Sequence, residues 1–318
     1  MNDNHKKGNS MATTVLIKII EMLVILLCGV IVYKAGLIDA HSVTRMSNLL
    51  LLLVSPILIF QSYQMDFDRA LFHGLLWSLA ASCITFAVTI VLTEILFHKK
   101  NAHTAVEKAA CVYSNCGFFG IPLINSLLGA EGVFYITAFN TIFNILLWTH
   151  GVMIMDRSQS KISIASLKKL VHPGIISVLI GLACFLLQIR LPSILSEPLD
   201  MIAGMTTPLA MIIAGANLAQ SNLWKSLRNG RTYLMCALKL LVFPMVSLVI
   251  LWLLPLSFTV SFSLFIAIAS PIATTTVMFA DRYDQDAPYA SELLVTSTIF
   301  SAVTIPLLSI LAERLLGA

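Results

Sequence analysis

Ten apolar runs dominate this chain, at about residues 14–33, 43–63, 70–97, 105–128, 131–155, 173–190, 197–220, 231–254, 260–281 and 288–316. Each approaches the roughly 20 residues that an α-helix needs to cross the hydrocarbon core of a bilayer. None alternates apolar and polar residues as a barrel strand does. Lipid offers no partner for backbone N–H and C=O groups, so runs of this kind must satisfy them internally, as helices. Of 318 residues, 58% are hydrophobic and 11% charged, where soluble domains carry about 45–50% and about 25%. The fold class that follows is an all-α polytopic membrane protein with about ten transmembrane helices. The lipid bilayer is its main partner, and this composition argues against nucleic acid.

The longest loop between spans, "DRSQSKISIASLKKLVH", divides the runs into two groups of five. The expected organisation is a short extracytoplasmic tail (1–13), a first five-helix repeat (14–155), a cytoplasmic linker (156–172) and a second five-helix repeat (173–318). Loop charge sets orientation. Odd-numbered loops hold 13 of the 20 Lys and Arg residues, among them Lys108, Lys168, Lys169 and Arg231, whereas the termini and even loops hold 5. The odd loops are therefore expected in the cytoplasm and both termini outside, although Lys6 and Lys7 run against it. The first run lacks a small-residue cleavage site and reads as an uncleaved anchor. An odd number of crossings per half makes the second half start on the opposite side, so halves of one fold are inverted repeats. "LVSPILIFQ" (53–61) is echoed by "MTTPLAMII" (205–213) in the corresponding span.

Spans four and nine carry helix breakers at matching places. "YSNCGFFGIPLIN" (113–125) and "ASPIATTT" (269–276) put Pro, Gly, hydroxyls and an amide where an uninterrupted helix should run. Interruptions at corresponding positions of two halves point to a transporter's binding site. The expectation is a link through Gly117 and Gly120 with Pro122 opening a half-helix, and Pro271 opening another. Proline suits a first helical turn, and the free N–H groups at two such starts attract an anion. The candidate ligands are Ser114, Asn115, Cys116, Gly120, Pro122, Asn217, Ser270, Pro271, Thr274 and Thr275, with Thr276 adjoining them. Pro56, Pro208, Pro244 and Pro306 read as kinks in packed helices.

Ionisable residues inside spans are costly and read as functional until shown otherwise. Lys239 either snorkels to the cytoplasmic surface or supplies positive charge to a substrate. Lys18 and Glu21, three residues apart, are a mutual pair or charge partners of a substrate. Glu94 reads as interfacial, and Asn140, Asn144 and His150 as helix–helix hydrogen-bonding groups. No Asp or Glu stands in the middle of spans four, five, nine or ten, which argues against cation antiport. The six cysteines lie in apolar runs without metal-ligand spacing and read as small buried hydrophobes rather than disulfides or zinc ligands. No metal site or cofactor is expected. Motifs of intramembrane hydrolases (HExxH, Gly-x-Ser-x-Gly, paired aspartates) are missing, so an enzyme is not expected.

"NCGFFGIPL" followed by "LLGAEG", then "SPIATTTVMFADRYDQD" and "STIFSAVTIPLL", resembles the auxin efflux carrier family, which includes plant auxin exporters and bacterial permeases for malate and malonate. "GLID", "SNLLLLLVSPILIF", "TPLAMIIAGANLA" and "LKLLVFPMV" extend the resemblance over essentially the whole chain. It implies two inverted five-helix repeats, a scaffold and a transport domain, and a crossing of broken helices four and nine. Asn115, Pro122 and Pro271 fall on the family's crossover positions. It further implies secondary active transport of a small organic anion (malate, malonate or an auxin-like acid) by an elevator motion, often as a homodimer, in the cell membrane. The short central loop matches the bacterial form, so control by phosphorylation of a long loop is not implied. Coupling to H+ or Na+ is open from sequence. A receptor or sensor that binds an organic acid without moving it is the alternative; its weakness is the lack of a signalling surface in such short loops.

Overall fold

In the computed structural model of this chain, residues 11–98, 101–156, 173–220 and 229–317 are described. Among them every regular element is a helix. These are α1 (Met11–Lys34), α2 (Ala40–Leu49), α3 (Ser55–Ser62), α4 (Arg69–Leu96), α5 (Thr104–Val112), α6 (Ile121–Leu146), α7 (Val152–Met155), α8 (Pro173–Leu187), α9 (Ser193–Gly204), α10 (Thr206–Gln220), α11 (Gly230–Ala237), α12 (Phe243–Leu253), α13 (Phe258–Ala269), α14 (Thr274–Arg282) and α15 (Ala287–Leu316). Turns of π-helix at Leu50–Val54, Cys116–Gly120, Leu147–Gly151 and Leu238–Val242 join helices that run on into one another. The 1–13 tail and the 156–172 linker lie almost wholly outside the described residues, as do Lys6, Lys7, Lys99, Lys100, Arg157, Lys161, Lys168, Lys169, Lys225 and Arg228.

The all-α membrane class expected from the sequence is what the structure has. Among the described residues seven helical stretches are long and apolar enough to cross a bilayer, and α8 and α13 are apolar but shorter. One of the seven, Cys116–Met155, is 40 residues long, twice what a crossing requires. It is not straight. Gly129 has φ 61° and ψ −150° inside it, a conformation that Gly adopts without a Cβ penalty. A Cβ on Gly132 would meet the side chains of both Ile124 and Leu128. Contact over eight residues requires the chain to double back, since eight residues of α-helix span about 12 Å.

Loop residues set the helix ends. Gly36, at φ 74°, closes α1 with Leu37 N–H on the Val32 carbonyl at 3.1 Å and Gly36 N–H on that of Tyr33 at 3.0 Å, the paired bonds of a Schellman cap. The carboxylates of Asp39, Asp68 and Asp286 accept N–H groups at the starts of α2, α4 and α15, as N-cap residues do.

Packing follows membrane rules. Large apolar side chains face outward, for example Ile31, Ile95, Leu187, Ile194 and Leu253, where lipid replaces water. Hydroxyls face inward: Ser78, Ser82, Thr85, Thr89 and Thr93 form a buried stripe on α4. Small residues let backbones approach, since lipid provides no hydrophobic drive between helices. At the contact of α1 with α10, a Cβ on Gly215 would lie 1.9 Å from the Leu26 carbonyl oxygen, and one on Gly29 would lie 2.3 Å from that of Ile212. Replacing Gly215 by Ala should therefore cost about 1–3 kcal/mol, the usual range for overpacking. Thermal unfolding in detergent should show the loss, while Gly204→Ala, with open space around its Cβ, should leave the melting temperature unchanged.

Candidate functional site

Residues Tyr113–Asn115 and Ser270–Ala273 are the two non-helical links, and they cross. Tyr113 is extended (φ −97°, ψ 113°), as is Ala273 (φ −67°, ψ 137°). Ser114 and Ile272 form an antiparallel bridge. Asn115 N–H donates to the Pro271 carbonyl at 2.7 Å and Ala273 N–H to that of Tyr113 at 3.1 Å. Ile272 N–H finds the Ser297 hydroxyl of α15 at 3.1 Å. Ser114, Ile272 and Ala273 are buried, so each break supplies the hydrogen bonds that the other lacks.

The breaks lie where the sequence placed them, but neither proline opens a helix. Helical structure resumes at Cys116, in a π turn closed by Ile121 N–H on the Cys116 carbonyl. Pro122 then sits in the first turn of α6, behind Gly120 in a helical conformation, so Gly117 and Gly120 are within the turn and not in the link. Proline lacks the donor for the carbonyl four residues back and its ring crowds it. A turn bonded i to i+5 is wider and relieves both. Pro56 and Pro244 stand in the same relation to the π turns at Leu50–Val54 and Leu238–Val242. Pro271 lies inside the link, and α14 starts three residues later at Thr274.

An extended link turns successive side chains to opposite faces, and Ser114 and Asn115 line different cavities. The cavity on the Asn115 side has about 420 Å3 of empty space, counting its open mouth, and is lined by residues that follow the breaks. Asn115, Phe118 and Phe119 come from one broken helix and Thr274 from the other. Asn217 and Met211 of α10 and Thr298 of α15 complete its polar and apolar wall. Asn115 stands at the N-cap position, where Asn ordinarily bonds the next N–H groups, yet its side chain makes no capping bond, and the N-cap residue of α14 is Ala273, which has no capping group. Two amides and an uncapped helix start thus share one space without a carboxylate, a setting that favours an anion.

The other candidates have different places. Cys116, Gly120 and Ser270 pack the crossing: the Cys116 thiol is 3.6 Å from Asn140 Oδ1, and a Cβ on Gly120 would lie 3.0 Å from Ser270 Oγ. Thr275 Oγ1 is buried with no partner among the described residues. Lys18 and Glu21 pair with each other at 2.8 Å on an exposed face of α1. Lys239 does not snorkel; it is 2% exposed and lines the cavity on the Ser114 side. Asn144 bonds its own helix at Asn140 O, and His150 meets the Tyr113 hydroxyl at 3.0 Å. All six cysteines are free, with Cys28 and Cys83 exposed rather than buried.

Two features escaped the sequence reading. Ser297 looked like one hydroxyl among many on the last span. Glu107, fully buried in α5, accepts both Nε and Nη2 of Arg231, the latter at 2.7 Å, and the Tyr289 hydroxyl at 3.1 Å. Arg231 and Lys108, counted as free loop charges, are committed to Glu107 and Glu94. The available signal was an acidic residue entering one span and a basic one entering another.

Comparison with known proteins places the chain among membrane transport proteins. A family model described as a membrane transport protein matches residues 14–309. An uncharacterized transporter of Methanothermobacter thermautotrophicus is 24% identical over 297 residues, covering 92% of this chain and 96% of that one.

Ser297→Ala should lower stability by about 1–3 kcal/mol, the cost of leaving a buried donor without a partner. Ser301 donates only to its own helix, at Thr298 O. A melting curve for Ser301→Ala should match the parent, and equal losses in both variants would argue against the Ile272–Ser297 bond as a support of the crossing.

Proposed function

The chain belongs to the auxin efflux carrier family of membrane transport proteins, and from that premise we propose that it is a secondary active transporter of a small organic anion. The carboxylate is held between Asn115, Asn217 and the start of α14 at Thr274. The observation that carries this reading is the cavity where the amides of Asn115, which makes no capping bond, and Asn217 meet the start of α14 behind Ala273.

The rest of the lining refines the substrate. Phe118, Phe119, Met211, Ala214, Leu218, Leu294 and Val295 are apolar, and neither Lys239 nor Lys18 faces this space. A second apolar cavity, of about 240 Å3, shares Phe119, Met211 and Thr298 with it. Among the described residues a dicarboxylate's second charge finds no cation in this lining, so a monocarboxylate with an apolar body is the better fit within the organic-acid class.

We assign the chain to two inverted five-helix repeats, 14–155 and 173–318, with termini outside and the 156–172 linker in the cytoplasm of a cell-membrane protein. The cavity's walls support an elevator cycle. One wall is α10, held against α1 by backbone contact at Gly215 and Gly29. The other is the crossing with α15. Sliding the second wall past the first carries the site across, and a homodimer would brace the static wall.

Uptake of labelled monocarboxylates and dicarboxylates into proteoliposomes tests this. A hydrogen bond to a charged group contributes about 1.5–3 kcal/mol, so Asn217→Ala and Asn115→Ala should each raise half-saturation about 10- to 100-fold. Asn144→Ala should not. Parental uptake by both site variants, or binding without counterflow, would overturn the assignment.

A further inference from the structure

Lys239 is an amine inside the membrane protein with no carboxylate opposite it among the described residues. The residue is 2% exposed, and among the described residues its ammonium reaches only the Cys111 carbonyl, at 3.5 Å. An ionised amine buried without compensation is strongly unfavourable, so its surroundings must supply negative potential. They do so through backbone. The cavity it lines, with about 260 Å3 of empty space, also receives Cys111 and Val112 from the end of α5 and Ile268 from the end of α13. The last four carbonyls of a helix lack internal partners and carry the negative pole. Two such ends meet here, from the two halves of the chain.

Hydroxyl oxygens complete the shell. Thr85 and Thr89 line the same cavity, and each donates its proton to a carbonyl of α4, leaving lone pairs for a cation. Ser114 Oγ is buried there with no partner among the described residues. Cys111 is the titratable side chain that lines the cavity beside Lys239. Glu107, one turn before Cys111, is committed to Arg231 and Tyr289. Carbonyl and hydroxyl oxygens around a single positive charge are the donor set of an alkali-metal site.

We propose that Lys239 is a tethered cation, its ammonium holding the position at the crossing that a bound sodium or potassium ion would otherwise fill. The charge that keeps the two helix ends together is then covalently attached, and no metal ion need accompany it. Within the transport cycle proposed above, on which this consequence rests, substrate moves without sodium.

Ion-dependent thermal stability of the purified full chain tests the cation independently of what is transported. The parent should melt at one temperature in sodium, potassium or N-methylglucamine chloride. Lys239→Ala, which opens the space, should melt several degrees lower in N-methylglucamine and recover in sodium or methylammonium along a saturable curve, as a ligand of the native state does. Lys239→Met, which fills the space without charge, should lose stability and recover with neither. Sodium-specific stabilisation of the parent, full stability of Lys239→Met, or a loss in Lys239→Ala that no small cation restores would each overturn the proposal. If Lys239→Ala does not fold, Lys239→Ser, which leaves the same space, decides between these outcomes in the same salts. In proteoliposomes the parent's uptake should be equal with and without sodium. An inert parent with cation-rescued Lys239→Ala would refute the transport reading and leave the tethered cation standing.

Discussion

Backbone groups that leave a helix inside a membrane have no water to turn to, and everything at the centre of this protein follows from how two such places answer each other. A satisfied hydrogen bond contributes only about 0.5–1.5 kcal/mol net in water-exposed proteins, whereas a buried group left unpaired costs more, and several kcal/mol in lipid. Neither link could persist alone. Asn115 needs the Pro271 carbonyl, Ala273 needs that of Tyr113, and Ile272 reaches Ser297. The link at 113–115 and the link at 270–273 are therefore one structural unit drawn from both ends of the chain. Gly120 and Ser270 close the unit sterically, since any side chain on the glycine would press on the serine hydroxyl.

Which parts were legible in the sequence depends on the range of the interaction. The chain reversal at Gly129 was visible as a Gly between two apolar runs, and the breaks as clusters of Pro, Gly and hydroxyls. Pro122 was misleading because a missing donor has two remedies. A helix can stop, or it can widen for one turn and continue, and Pro56, Pro122 and Pro244 all take the second course. Sequence does not distinguish them, because the choice lies in how neighbouring helices hold the carbonyl. Ser297 and the Glu107–Arg231 pair were hidden for a related reason. Their partners lie 25 and 124 residues away, so each looks ordinary alone. Lys239 was the intermediate case: Met235, Cys236, Phe243 and Ser247 are buried at helical spacing around it, which puts it on the inward face and leaves no route to the surface.

The buried hydroxyls of α4 show the same economy at lower stakes. Ser82, Thr85 and Thr89 each bond a carbonyl one turn back, a pattern that satisfies the proton locally and leaves oxygen lone pairs toward the interior. In a water-soluble core such a stripe would be a weakness. Here the outer surface is already apolar, and the polar interior is where selectivity can be built. Small side chains also bring α4 close to the crossing, so its hydroxyls become part of the wall around Lys239.

The crossing is electrically two-sided, and that asymmetry connects the two cavities. The ends of α5 and α13 line the cavity beside Ser114, whereas the turn that follows Asn115 and the start of α14 line the other. If both sides were left bare, the negative ends would repel each other as strongly as the positive ones. The protein answers the negative side with a residue of its own, Lys239. Among the described residues nothing charged lines the other side, whose polar groups are the amides of Asn115 and Asn217 and the hydroxyls of Thr274 and Thr298. Under the function proposed above, the potential left over faces the larger cavity, and a carboxylate arriving there would complete the charge balance.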